Sequence, residues 1–448
     1  MTSLGSRAVT HRHILQKAWP VVLANAAVPL LGLSDTAVMG NLGTLADLGA
    51  IAFGAVIFSF VYWGFGFLRM GTTGFVAQAL GANDHAEVRT ALLRAGLMAV
   101  IIGFTIMALQ RPIADVSLAL MQGSPEVDAL TREYIRFRIW GAPAALALFA
   151  LMGCLIGLGH NKTLLIVQLL LNGLNIILDI LFGGVLQMGA AGIGLGTAVA
   201  EWTAVLVAII LVLRILRRNY HQDAESFWPW QRLRNWQRLW HTLAVNRDIM
   251  VRTLLLVAGF AWFVRQSANF GDDVLAANHI LLQLISFSAF FLDAFAYVVE
   301  ALAGKAAGAR DTATFDIVVR RSTELAGGCA LVLALIIWGL GDVLVQALSQ
   351  HEEVRLAAEA AMPFAACYVA LAFAAFQLDG IFIGTTRTRQ MRNAAIVSSA
   401  IFLVSSLVLI ELAGSRGLWL SFIVYVCARA IALLVFLPGL RRSISSPT

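Results

Sequence analysis

Asp35 and Asp179 each stand inside an apolar stretch of helical length. Asp35 lies in Leu30-Leu31-Gly32-Leu33-Ser34-Asp35-Thr36-Ala37-Val38-Met39-Gly40, and Asp179 closes Asn172-Gly173-Leu174-Asn175-Ile176-Ile177-Leu178-Asp179. A charged side chain at bilayer depth costs about 3 kcal/mol or more, so it faces a partner, a cavity or an ion path. Asn172, Asn175 and Asp179 recur at i, i+3 and i+7, one face of a helix. Thr197, beyond a short Gly-rich turn, is placed to approach that face. A carboxylate removed from water holds its proton more readily, and two close together cannot both ionise cheaply. Such a group of acids, amides and a hydroxyl can take up a proton on one side of a membrane and release it on the other. With both acids ionised, the same oxygens could hold Na+. A network serving structure alone could use these residues too, but it leaves the cost of two acids unexplained.

Composition sets the elements that must carry them. Of 448 residues, 59% are hydrophobic and 13% charged, more apolar surface than a water-soluble fold can hide. Stretches near the roughly 20 residues a spanning helix needs recur from end to end. They lie near 14–40, 46–80, 88–110, 126–158, 161–184, 188–214, 247–270, 275–307, 316–341, 354–385, 391–412 and 417–440. No cleavable secretion signal is expected, since His11, Arg12, His13 and Lys17 run straight into a full-length span. Basic residues collect in alternate loops, among them Lys162, Arg214, Arg217, Arg218, Lys305, Arg310, Arg387, Arg389, Arg392, Arg441 and Arg442. The intervening loops 41–46, 183–190 and 271–274 hold no Lys or Arg. This positive-inside bias predicts an even number of spans with both termini in the cytoplasm, and it explains the net charge of +6 without nucleic acid. Cys154, Cys329, Cys367 and Cys427 fall one per apolar segment and read as small buried hydrophobes, not as a disulfide framework or metal site. No cofactor is implied.

One interval, 227 residues, separates Gly81-Ala82-Asn83-Asp84 from Gly308-Ala309-Arg310-Asp311, and also Gly153-x-x-x-Gly157 from Gly380-x-x-x-Gly384. The expected fold is therefore an all-α membrane protein of about twelve transmembrane helices. They form two six-helix lobes, 1–214 and 247–448, related by a parallel repeat that encloses a midplane cavity and can rock to open it to either side. Between them, 215–246 carries Leu233, Trp236, Trp240 and Leu243 at helical spacing, with Arg232, Arg234 and Arg238 elsewhere around the turn. That pattern predicts an amphipathic helix in the cytoplasmic interface. The same interval takes Asp35 to Trp262 and Asp179 to Ser406, so the acids belong to the first half alone. Pro20 and Pro29 are expected to bend the first span, and a change of charge at Asp35 could shift that bend. Gly192/Gly196 and Gly304/Gly308 read as close helix packing.

A weaker set of candidates for the substrate cavity comprises Asp293 and Glu300, i and i+7 on the eighth span, Arg265 as their counter-ion, Asp379 and Trp262. Internal salt bridges are the alternative for these charges and for Glu201. Phe58, Phe60 and Phe260 suit flat apolar cations and equally suit packing. Enzymatic readings fail: no HExxH, nucleophile elbow or phosphate loop occurs. Gly339-Leu340-Gly341-Asp342 matches an intramembrane aspartyl protease motif, but no Tyr-Asp partner exists. A channel would not need asymmetric halves. A flippase for a lipid-linked oligosaccharide or other lipid is the nearer alternative, although it wants several cations where the first half offers Arg69, Arg94 and Arg138.

Leu30–Gly40, Asn246-Arg247-Asp248-Ile249-Met250, Phe291-Leu292-Asp293-Ala294-Phe295-Ala296-Tyr297 and Leu378-Asp379-Gly380-Ile381-Phe382-Ile383-Gly384-Thr385-Thr386-Arg387 resemble the multidrug and toxic compound extrusion (MATE) family, in particular its bacterial DNA-damage-inducible F branch. The resemblance implies twelve helices in two lobes and a carrier, working as a monomer in the bacterial inner membrane, that exports cationic and other amphipathic compounds in exchange for H+ or Na+. It assigns Asp35, Asn175, Asp179 and Thr197 to ion coupling. Met152 stands where family members often carry Arg. Residues 249–270 lack the acid that the Na+-coupled branch carries in this span, which favours H+.

Overall fold

Backbone polar groups in a bilayer interior must be satisfied within their own segment or a closed barrel, and long apolar runs satisfy them as helices. The computed structural model describes residues 9–42, 44–220 and 226–445, with side chains outside 28–42, and no strand occurs among them. In chain order the helices are α1 (His11–Leu42), α2 (Leu45–Trp63), α3 (Phe67–Gly81), α4 (His85–Ala108), α5 (Gln110–Met121), α6 (Pro125–Arg138), α7 (Ala142–Gly157) and α8 (Asn161–Asp179). They continue with α9 (Gly189–Asn219), α10 (Trp230–Leu233), α11 (Trp236–Ser267), α12 (Asp272–Gly308), α13 (Thr312–Leu348), α14 (Glu352–Gly384) and α15 (Thr388–Ser445).

Among the described residues, nine helical runs are long and apolar enough to cross a membrane. The last of them, α15, is two helices meeting at Gly414, whose φ of +59° breaks the helical path. Its two arms, with the 32-residue helices α1 and α11, bring the spans to twelve. This is a multi-pass membrane protein. Two spans are jointed: α2 and α3 meet at Gly64-Phe65-Gly66, and α6 meets α7 through a 3-10 turn, Ile139–Gly141, ahead of Pro143. Proline at the start of a helix costs no hydrogen bond, which is why α7 begins there.

The chain forms two compact units. One comprises residues 23–243; the other combines 244–445 with 9–22. The opening turns of α1 thus pack with the second half of the chain, a division that differs from boundaries at 214 and 247. Val9, Ile14 and Val21 are buried there, His11 Nε2 lies 2.8 Å from Glu324 Oε2, and Arg321 donates to the Val9 carbonyl. The 215–246 stretch also differs from an independent amphipathic helix. No Gly or Pro interrupts 236–250, so α11 runs unbroken from Trp236 into the seventh span. Trp236 and Trp240 stay exposed, edge to face at 5.4 Å. The arginines turn to protein: Arg232 Nη1 donates to both Asp84 oxygens at 2.7 and 2.8 Å, and Arg238 pairs with Glu87.

The repeat is legible in backbone geometry. Asn83 and Arg310 both take left-handed φ, 55° and 56°, and the following Asp84 and Asp311 cap α4 and α13 by accepting from the backbone N–H three residues on. Hydrogen bonds from Thr314 hold the Asp311 carboxyl below the usual carboxylate range. Gly159 and Thr386, again 227 apart, are left-handed as well. A Cβ on Gly157 would come within 2.8 Å of the Thr73 carbonyl, and one on Gly380 within 2.7 Å of the Ala296 carbonyl. Gly153 and Gly384 approach the carbonyls of Arg69 and Glu300 in the same way. Arg69 and Ala296, like Thr73 and Glu300, are 227 residues apart, so one helix pair is built twice, by backbones that only glycine lets meet.

Gly157→Val and Gly384→Val are therefore expected to cost about 1–3 kcal/mol each through overpacking. Gly328→Ala, where an added Cβ meets nothing within 4 Å, should be neutral or stabilising. Thermal melts of the purified protein in detergent check this; an unchanged midpoint at position 384 would remove the close-packing argument.

Candidate coupling site

Helix α8 turns Asn175 and Asp179 toward α9, and with Asn172 they are buried, Asn175 and Asp179 completely. Glycines on α9 let it approach. A Cβ on Gly196 would stand 2.7 Å from Asp179 Oδ1, and one on Gly192 would stand 2.7 Å from the Phe182 carbonyl. The space beside the carboxylate exists because residue 196 has no side chain.

Inside that space Asn175 joins the other members. Its Nδ2 donates to Thr197 Oγ1 at 2.9 Å and lies 3.5 Å from Asp179 Oδ1. The Thr197 hydroxyl donates in turn to the Ile193 carbonyl at 2.9 Å. Asn172 is tied the other way: its Nδ2 donates to the Ala27 carbonyl of α1 at 3.0 Å, and Gln168 Nε2 donates to its Oδ1 at 3.2 Å. Asn175 Oδ1 has no hydrogen-bond partner among the described residues. Asn175, Asp179 and Thr197 are thus one buried group, while Asn172, one turn away on the same helix, is tied to the first helix. The group's oxygens are carboxylate, amide and hydroxyl, the donor set of a proton relay or a hard monovalent cation. The side chains of Asp35 and Pro29 lie outside the described residues. Pro20 is buried, and α1 is helical through both prolines.

Two further features accompany α8 and α9. Directly after Asp179 the helix widens into a π-helical stretch, Ile180–Val185, of the kind frequently found at functional positions. The Gly183-Gly184 pair is its faint signal. Asp47 is a further buried acid: its Oδ1 accepts from the Ala190 N–H at the start of α9 at 3.0 Å, while its Oδ2 accepts from Thr44. It caps α2 and α9 together, and Gly189, at φ +55°, leaves room for it. Thr44-x-x-Asp47 is a capping-box pattern that sequence carries openly.

The repeat supplies an independent measure of the site. Trp262 and Ser406, the counterparts of Asp35 and Asp179, touch: Trp262 Nε1 donates to Ser406 Oγ at 2.9 Å. Trp262 is thereby part of the packing of the second unit.

The weaker candidates scatter. Asp379 receives hydrogen bonds on one oxygen from Arg252 and, at 2.7 Å, from Arg429. Glu300 is buried, Asp293 half-buried, and Arg265 is exposed near the end of α11, joined to neither acid among the described residues. Glu201 is buried 2.8 Å from Arg138, whose guanidinium lies over the rings of Phe58 and Tyr62. Phe58 and Phe260 are packed against Tyr134 and Phe422, and Phe60 is exposed.

Removing one partner of a buried pair strands the other charge, so Glu201→Gln or Arg138→Gln alone should cost about 3–5 kcal/mol, whereas Arg138→Leu with Glu201→Leu should cost far less. Thermal midpoints of the single and double variants, compared as a cycle, check this. Additive losses would show that the two side chains do not act on each other.

Known proteins share the doubled fold. The MatE family model matches residues 20–181 and again 249–408, once in each half. DNA damage-inducible protein F of Escherichia coli (strain K12) is 35% identical over 416 residues, covering 93% of this chain and 89% of the relative. A protein described as probable multidrug resistance protein NorM, of Aromatoleum aromaticum, is 24% identical over 355 residues, 77% of this chain and 74% of its own. Among solved structures, the Vibrio cholerae MATE transporter VcmN in the bent form superposes with a TM-score of 0.85 at 18% identity, covering 97% of both chains. A doubled six-span unit with its polar network in the first copy, matched twice by one family model, makes this chain a member of the MatE family.

Proposed function

We propose that this chain is a secondary antiporter that exports amphipathic, commonly cationic, organic compounds by alternating access in exchange for a cation, H+ rather than Na+. The observation that carries the reading is the fully buried Asp179 joined through one amide to Thr197. It lies in the one half of a doubled fold that keeps an acid where the other has Ser406. A group paired only for packing would have no reason to differ so sharply between copies. The repeat counterparts of Asp35 and Asp179, Trp262 and Ser406, meet across a hydrogen bond, which supports assigning both acids to the same coupling role. Occupancy of this pair by an ion, and its release, then accompany the swing of the halves.

Support for H+ comes from the second half, where Asp379 is held by two guanidinium groups and offers a cation no free carboxylate. Asp35, Asn175, Asp179 and Thr197 also have the oxygen donors that Na+ would use. The flippase reading needs unpaired cations in the first half. There Arg94 and Arg138 are committed to Glu87 and Glu201, and Arg89 donates to the carbonyls of Tyr220 and Phe227. The relatives named as resistance proteins and transporters support a carrier rather than an enzyme. We place it in the bacterial inner membrane with both termini cytoplasmic, acting as a monomer on small molecules with no cofactor.

Reconstituted into vesicles, the protein should drive a fluorescent cation uphill under a pH gradient and much less under a Na+ gradient. Asp179→Asn and Asp35→Asn should each reduce gradient-driven export at least about tenfold, a differential of ~1.4 kcal/mol, while leaving equilibrium binding of the cation measurable. Full coupled export by the double variant would falsify the assignment.

A further inference from the structure

We propose that Arg252 and Arg429, clustered around Asp379 in the second unit, form a binding site for the anionic group of an amphiphile. The proposal rests on the reading of the chain as an exporter of amphipathic compounds and extends the cargo to anionic and zwitterionic members. Arg252 on α11 and Arg429 on α15 both donate to the same oxygen of Asp379, Oδ2. One carboxylate answers two guanidinium groups, so the cluster holds an excess positive charge in apolar surroundings. All three side chains are about nine-tenths buried, with exposures of 11% and 8% for the arginines and 8% for the acid. Among the described residues, the ionisable groups acting on Arg429 are Asp379, Tyr425 and Tyr368, of which Asp379 is the one acid. The nearby Asp248 is engaged by Arg247 and by Arg392 at 2.8 Å.

The donors are as telling as the charge. A guanidinium carries five N–H groups in a planar fork suited to carboxylate or phosphate. Beyond the bond to Asp379, neither arginine donates to any other described residue, and none of their nitrogens is among the sealed, partnerless ones. The remaining N–H groups are therefore not fully sealed within the protein. The fork is held rigidly. Arg429 lies over the Tyr425 ring at 5.9 Å, Tyr425 stacks on Phe402 at 4.9 Å, and Tyr368 stacks on Phe422 at 4.5 Å. A salt bridge made only to brace helices would balance its charges and use its donors. The counterparts of Arg252, Asp379 and Arg429 in the first half are Asn25, Met152 and Trp202, so the cluster belongs to the second unit alone.

The test uses two fluorescent probes with one aromatic body, one ending in a carboxylate and one in a quaternary ammonium, bound to the purified full-length protein at equilibrium. Asp379→Asn raises the excess charge and should tighten the carboxylate probe several-fold. The neutral set Arg252→Gln, Asp379→Asn and Arg429→Gln should weaken it at least about tenfold, the scale of a charge-assisted contact, and leave the ammonium probe unchanged. Equal loss of both probes, or no change in either, overturns the proposal. So does weaker carboxylate binding in Asp379→Asn, a single variant that stands as the test if the triple one does not fold. Titrating an anionic phospholipid into the same sample separates sources: displacement of the probe assigns the site to a lipid phosphate, and its retention assigns it to cargo. Gradient-driven export of the ammonium probe by the unaltered protein tests the transport reading separately, whatever the arginine variants do.

Discussion

A polar group inside a bilayer has no water to turn to, and this one constraint arranges the whole chain. Every backbone amide in a span must find its carbonyl, which makes the spans helical. Every charged side chain in a span must find a counter-charge or a donor, which decides which helices can be neighbours. Arg138 with Glu201, and Arg252 and Arg429 with Asp379, are solutions of the second kind, each joining separate helices. Asp47 solves the same problem with helix N–H groups.

Against that background the set Asn172, Asn175, Asp179 and Thr197 is chemically distinct. Among the described residues, its hydrogen-bond partners include amides, a hydroxyl and main-chain carbonyls. In the proposed coupling role, a carboxylate hydrogen-bonded to neutral groups changes its proton or ion occupancy at lower cost than one locked in a buried ion pair. Gly196 leaves space beside the Asp179 carboxylate, and a π-helical turn follows that residue.

The doubled architecture separates scaffold from function. What the two copies share is close backbone contact at Gly157 and Gly380, left-handed residues at 83 and 310, and the aspartate caps that follow them. These are the parts any six-span unit of this shape needs. What they do not share is charge. Acids sit in the first copy where the second has Trp262 and Ser406, and arginines sit in the second where the first has Asn25 and Trp202. The two copies thus agree in packing and differ in the placement of charge.

Much of this was written in the chain itself. Hydropathy set the spans, because apolar length against bilayer thickness is a one-dimensional property. The 227-residue interval marked the repeat, and the i, i+3, i+7 spacing on α8 brought Asn172, Asn175 and Asp179 to one face, because helical periodicity is local. Tertiary structure alone decided the partners. Arg265 was a reasonable counter-ion for Asp293 or Glu300 on proximity in sequence, yet it is exposed, and Asp379 draws its arginines from positions 252 and 429. Residues 9–22 look like the start of the first half and pack with the second. Pairing energy depends on distances of a few ångströms between segments tens to hundreds of residues apart, and those distances exist only once the helices have packed.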